Sequence, residues 1–289
     1  MNGFINLIKK KGISSNAALQ EAKRKLKIKK AGHLGTLDPM AHGVLVLGVN
    51  RGTKFSSYFL ESDKTYKAEI TLGASTDTDD ATGEIIEESL KKVCAKEVEI
   101  ALKTFIGKSM QVPPSYSALK HKGKPLYKYA REGKPISKPP REINIYSIKN
   151  FEFKNNICIC EIHCSKGTYI RSIARDLGKM LGVGGHLSDL ERLGQGVFNI
   201  KDAYTIEQLS EDSVLSIESV FPNFIDINLS SVETRFFLNG VKIKYQKYSD
   251  AVYKIYSDEG VFLGLGEVND SILKLKPVSY THLTLPTKA

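Results

Sequence analysis

The 289-residue sequence has no tryptophan, only four cysteines, and no apolar run long enough to cross a bilayer. So few cysteines exclude a disulfide framework, and reduced thiols fit a cytosolic protein. No apolar signal-peptide core stands at the N-terminus. The expectation is therefore a soluble, cytoplasmic chain. There is also no P-loop, no dinucleotide-binding glycine pattern, no G-x-S-x-G elbow and no metalloprotease helix. The usual signatures of nucleotide cofactors, serine hydrolases and zinc hydrolysis are thus missing. No internal repeat is visible. Acidic residues are in deficit, 32 against 42 lysines and arginines, which leaves a net charge of +10. An excess of that size favours a polyanionic partner through phosphate contacts and counterion release.

What is present is enough for a folded protein. Apolar residues make up 41% of the chain, which can supply a sizeable core. The length suits one large domain and a small one. Three of the cysteines lie in the alternating run Ile157–Cys164. Cys158, Cys160, Ile162 and Cys164 then share one strand face. Zinc sites use turns and a second ligand pair, and neither is found here. A core strand is the preferred reading, and no metal is expected.

Taken in order, Gly3–Ile8 reads as a strand and Asn16–Ile28 as a helix. One face of that helix carries Ala18, Ala22 and Leu26. The other carries Lys23, Arg24, Lys25, Lys27, Lys29 and Lys30, either a solvated face or one that draws phosphate. Ala31–Pro39 reads as a loop set by Gly32, Gly35 and Pro39, with His33 and Asp38 in it. It is either a plain turn or a polar loop that carries chemistry. Val44–Val49 is apolar throughout, as a buried central strand should be. Thr53–Leu60 reads as a helix. Lys64–Leu72 alternates, with Tyr66, Ala68, Ile70 and Leu72 on one face. Tyr66 is either a core tyrosine or a platform on which a base stacks.

Ser75–Gly83 reads as a polar surface loop, since the calcium-loop pattern is incomplete. Ser89–Ile106 reads as a helix capped by Ser89. From Gln111 to Arg141 the chain carries adjacent prolines, eight lysines and arginines after Ala118, and Tyr127 and Tyr129 among them. That mixture suits a grip on looped or single-stranded RNA, or a mobile lysine-rich excursion. Ile143–Ile148, Phe151–Phe153 and Ile157–Cys164 read as strands. A helix follows Gly167-Thr168, with Ile170, Ala174, Leu177 and Leu181 as its buried stripe. Arg171, on its first turn, points back towards the preceding loop. There it either pairs with a carboxylate or faces solvent. His186–Leu193 and Gly196–Ile200 read as strands, Thr205–Ser210 as a short helix, and residues 221–229 as a boundary. Beyond it lie a small helix, Val232–Leu238, and strands at Val252–Tyr256, Val261–Val268 and Ser271–Leu275. Ser279–Ala289 continues neither the alternation nor the charge pattern, and it resembles translated cloning or adapter sequence.

Several segments, in this order, resemble the TruB-type tRNA pseudouridine synthases. They are Gly32-His-Leu-Gly-Thr-Leu-Asp-Pro39, Asp63-Lys-Thr-Tyr-Lys67, Thr76–Gly83, Pro113-Pro-Ser-Tyr-Ser-Ala-Leu-Lys120 and Cys164-Ser-Lys-Gly-Thr-Tyr-Ile-Arg171. Gly185–Leu193 adds a sixth. The resemblance implies an α+β fold: a bent, mainly antiparallel mixed sheet flanked by helices and loops, plus a small C-terminal β-rich module. It implies a catalytic domain over residues 1–222 with a thumb-like RNA-binding insertion at about 109–142. It further implies a small PUA-like RNA-binding module at 230–278, followed by the suspected non-native tail at 279–289.

The implied reaction turns uridine into pseudouridine in the T-loop of tRNA, at position 55, with no cofactor and no metal. Asp38, Tyr66 and Arg171 are the implied catalytic residues, and Arg171 is expected to keep Asp38 ionised by charge pairing. His33, Tyr66, Tyr169 and Leu190 are the implied substrate contacts. The implied partner is the tRNA T-stem-loop, with no membrane contact, and the expected state is a monomer. A hydrolase with Asp38 as nucleophile is disfavoured, because glycoside hydrolysis usually needs two placed carboxylates and no convincing second one is seen. Two further competing readings stand beside this one. One is a non-catalytic RNA-binding or RNA-folding protein. The other is a pseudouridine synthase acting on a different RNA.

Overall fold

The computed structural model describes residues 1–278, so the Ser279–Ala289 expectation lies outside the described residues. The chain opens with β1 (Gly3–Lys9), α1 (Ser15–Lys25), β2 (Ala31–His33) and β3 (His42–Val49). A 3-10 turn and α2 (Ser56–Leu60) lead to β4 (Lys64–Leu72), then to the hairpin β5 (Ala74–Thr76) and β6 (Ile85–Glu88). Next come α3 (Ala95–Lys103), β7 (Gly107–Gln111), the small ladder β8 (Lys120–His121) and β9 (Lys124–Pro125), and α4 (Leu126–Arg131). Then follow β10 (Arg141–Lys154), β11 (Ile157–Cys164), α5 (Ile170–Leu181), β12 (Gly185–Gln195) and β13 (Phe198–Asn199). The last stretch holds β14 (Asp226–Asn228), α6 (Ser231–Leu238), β15 (Ile243–Lys244), β16 (Ala251–Tyr256), β17 (Phe262–Asn269) and β18 (Ile272–Val278).

The large sheet runs β1-β3-β12-β4-β11-β10-β7, with β2 on β3 and β13 on β12. Every pairing in it is antiparallel except β12 with β3, where Glu191 lies beside His42 and Arg192 beside Gly43. The fold is therefore the mixed, mainly antiparallel α+β arrangement expected. In β3 every residue after His42 is buried, which explains its unbroken apolar run. In β11, Cys158, Cys160, Ile162 and Cys164 are all fully buried on one face, the core-strand placement read from their alternation. They pack with the apolar faces of β4, α3 and α5. A second cluster gathers Phe4, Phe55, Phe59, Phe198 and Phe221, with Leu265 from β17. The small sheet, β14-β16-β17-β18-β15, is thus joined to the large one by apolar packing. Tyr256 adds a hydrogen bond to Glu218 at 2.8 Å. Among the described residues, no helix is long and apolar enough to cross a membrane.

The structure corrects several local expectations. Ala31–His33 is not loop but the strand β2, because its backbone pairs with β3 through Gly32 and Gly48. The expected helix Ser89–Ile106 begins only at Ala95. Its entry is fixed by Glu97, which accepts a hydrogen bond from the Cys94 backbone at 2.7 Å. Thr53–Leu60 splits into a 3-10 turn and the short α2. Thr205–Ser210 forms only a turn, closed by Gln208 N–H on Thr205 O at 3.1 Å. Ile143–Ile148 and Phe151–Phe153 are one strand, β10, with irregularities in its pairing to β11.

Candidate active site

Asp38 stands in the turn between β2 and β3, and the chain around it is held at many points. Ser15, at the start of α1, donates to Leu37 O at 2.9 Å and accepts from Leu37 N–H at 2.8 Å. Gly12 N–H donates to Pro39 O at 2.8 Å, and Lys9 Nζ reaches the same oxygen at 3.4 Å. Leu37 and Met40 are buried in the main core on either side. Two apolar anchors and a backbone clamp therefore fix the direction of one partly exposed carboxylate.

Arg171 comes from the first turn of α5. Its Nη2 lies 2.8 Å from Asp38 Oδ2 and donates to Tyr116 O at 2.9 Å. Its Nη1 lies 3.6 Å from Asp80 Oδ2 and donates to Thr78 O at 3.2 Å. Both Arg171 and Asp80 are buried, so the guanidinium is not the solvent-facing group that a helix surface permits. The Ser75–Gly83 stretch is likewise no simple surface loop. Asp80 turns inward and accepts from Thr82 N–H and the Thr78 hydroxyl, each at 2.9 Å. Ala81 N–H bonds Leu187 O at 2.9 Å, which ties this loop to β12. The buried guanidinium thus has its charge met by two carboxylates and both terminal nitrogens paired, while its Nε has no hydrogen-bond partner among the described residues.

A cavity of about 300 Å³ opens beside this ion pair. Asp38, Tyr66, Tyr169, Arg171 and Leu190 all line it, so five of the six expected site residues meet there. Tyr66 is 9% exposed, and burial pushes its phenol up while Arg192 beside it pulls the other way. Tyr169 enters α5 with its backbone clamped by Gln111: Nε2 donates to Tyr169 O at 3.0 Å, and Oε1 accepts from Tyr169 N–H at 2.8 Å. The Arg141 guanidinium lies 4.7 Å from the centre of the Tyr169 ring. Both ends of the 112–140 excursion are thus fastened to the mouth of the cavity.

His33 is the exception. It lines an adjoining cavity of about 610 Å³ with Asp38, Tyr116, Tyr127 and Arg131. Burial first, and Arg192 second, hold its imidazole below the usual histidine range. Asp38 and Arg171 border both spaces.

Sequence reasoning missed Asp80, Lys9, Lys64 and Arg192. Lys9 and Lys64 are buried, and burial lowers both ammonium groups to about 8. Lys9 donates to Lys10 O at 2.9 Å and Ile13 O at 2.7 Å, and Lys64 to Leu60 O at 2.8 Å. Arg192 is 1% exposed, with Nε on Val44 O at 2.7 Å and Nη2 on Gly35 O at 3.1 Å. Its signal was legible: it stands two residues after Leu190 on the same strand, hence on the same face.

Three family patterns match the chain. One described as TruB family pseudouridylate synthase (N terminal domain) covers residues 23–170. One described as tRNA pseudouridylate synthase B C-terminal domain covers 171–234, and one described as Pseudouridine synthase II TruB, C-terminal, covers 226–277. The chain is 42% identical over 275 residues to a tRNA pseudouridine synthase B of Methylobacillus flagellatus, covering 92% of this chain and 91% of that protein. It is 40% identical over 288 residues to a protein of the same name from Clostridium perfringens, covering 96% and 98%. Among solved structures, a chain of a Cbf5-Nop10-Gar1 complex superposes with a TM-score of 0.72 at 21% identity, covering 96% of this chain and 84% of that one. That likeness is one of fold.

Proposed function

The chain belongs to the TruB family of pseudouridylate synthases, and from that premise we propose that it isomerises uridine to pseudouridine in tRNA, at the T-loop uridine, as a cytoplasmic monomer. The observation that carries the reading is a single partly exposed carboxylate, Asp38, paired at 2.8 Å with the buried Arg171 at the mouth of a cavity walled by Tyr66. The reaction breaks the N1–C1′ bond, turns the uracil, and joins C5 to C1′. A proton leaves C5 and N1 ends with one, so substrate and product are isomers and no outside electron or group is required.

Asp38 is the group for C1′. It either attacks that carbon or stabilises charge on it and takes a proton. Arg171 fixes the carboxylate in one direction, with Asp80 holding the guanidinium from behind. Tyr66 stacks on the base and is placed to assist loss of the C5 proton. Leu190 and Tyr169 close the pocket. The target uridine must leave its stack in the folded RNA loop. His33, in the adjoining space and held neutral by burial, fills or guides the vacated position. The thumb-like 109–142 segment and the C-terminal module supply further RNA contacts. The charge of +10 supports association with phosphate.

The test is direct. Unmodified tRNA incubated with the protein should gain one pseudouridine, detected chemically because the conversion leaves mass unchanged. Binding without conversion would overturn the enzyme reading in favour of an RNA-binding protein. Conversion outside the T-loop would overturn the target.

A further inference from the structure

Two buried arginines border the cavity, and they are paired differently. Arg171 faces two carboxylates. Arg192 is buried and, among the described residues, has no carboxylate in ion-pair contact. Two main-chain carbonyls hold it, Val44 O from β3 and Gly35 O from the Asp38 turn, and the Tyr66 side chain hydrogen-bonds it as well. Its backbone lies opposite Tyr66 across the β4–β12 ladder, and it lines the cavity together with Leu190.

A buried charge without a counterion costs stability. Its field is not neutralised locally. After burial, Arg192 is the next influence holding down both His33 and Lys64, and it lowers Lys9 as well. Asp38, Tyr66, Arg141 and Arg171 line the same cavity. Fixed, desolvated positive charge is most useful where negative charge appears only during the reaction. The isomerisation makes such a charge. Whichever way Asp38 acts, breaking N1–C1′ leaves the bonding electron pair on uracil, as a ring anion shared with its carbonyl oxygens. The anion persists until C5 bonds to C1′, C5 loses its proton and N1 gains one.

Resting on that reading of the reaction, we propose that Arg192 holds the negative charge of the detached uracil.

The experiment compares wild type, Arg192→Met and Arg192→Lys in single-turnover conversion of tRNA, in tRNA binding and in thermal melting. Wild-type conversion is the control for the underlying function; its absence sinks both readings, whereas the variants judge Arg192 alone. The expected result for Arg192→Met is a rate lower by about a hundredfold or more. Its tRNA affinity stays within a few-fold and its melting temperature is not lowered, since an unpaired buried charge has been removed. Arg192→Lys recovers most of the rate. A structural arginine would give the reverse, a lower melting temperature with an unchanged rate in the folded fraction. A second substrate covers the case in which the methionine variant does not fold. A T-arm RNA with 5-fluorouridine at the target releases a more stable uracil anion. The residual deficit of Arg192→Lys in forming the C5–C1′ bonded nucleoside, which keeps fluorine at C5 and takes up water across C6 and N1 because C5 has no proton to lose, should shrink on it. An equal deficit on both substrates would overturn the proposal.

Discussion

Arg171 shows how much a single side chain holds in this site. It is buried, and its guanidinium meets two carboxylates and two backbone carbonyls from three separate segments. Arg171→Ala leaves Asp80 buried without its cation. Removing one partner of a buried pair costs on the order of 3–5 kcal/mol, and urea denaturation should register that loss. In the fraction that stays folded, turnover should fall much further than tRNA affinity. An equal loss in both would identify a phosphate-binding arginine instead. The residue types of the site were legible in the sequence, because Asp38, Tyr66 and Arg171 each sit in a motif. Asp80 was not, since three nearby aspartates look alike along the chain. The bridge of its backbone to Leu187, with Ala81 N–H on Leu187 O and Leu187 N–H on Asp79 O, turns that one inward. Lys9 was missed for a similar reason. It opens a run of three lysines, and only it folds back onto Pro39.

Among the elements, the parallel contact between β3 and β12 sets the geometry of the cavity. It brings Gly43 beside Arg192. Gly43 has φ +95°, and a Cβ there would lie 2.4 Å from Arg192 O and 2.9 Å from Arg192 N. Neither backbone atom can move without parting the two strands. Gly43→Ala should therefore cost at least about 3 kcal/mol, seen as a lowered melting temperature. A variant as stable as wild type would show that this junction is looser than described. Strand periods were readable along most of the chain because buried faces alternate, as in β4 and β11. The short β2 and the late start of α3 were not. One depends on a pairing partner and the other on a glutamate reaching back to Cys94, and neither leaves a hydrophobic period.

At the scale of the molecule, two ammonium groups are buried near the site: Lys64 lines the cavity, and Lys9 reaches Pro39 O in the turn that carries Asp38. Burial holds both at about 8 in the folded chain, against 10.5 as the ordinary value. Between those limits the unfolded chain binds more protons, so their contribution to stability rises with pH. The burial penalty is full below about pH 8 and gone above 10.5. Denaturation of wild type and Lys9→Met from pH 7 to 10 should therefore show wild type gaining relative to the variant above about pH 8. Parallel curves would contradict it.

The reading of the whole molecule depends most on Asp38, the one carboxylate that the turn, Arg171 and the cavity are arranged around. The decisive measurement is tritium release from tRNA labelled at C5 of uridine, with wild type and Asp38→Asn at matched tRNA occupancy. The account predicts stoichiometric release by wild type and none above background by Asp38→Asn, with binding of tRNA retained. Release by Asp38→Asn at the wild-type rate would contradict it.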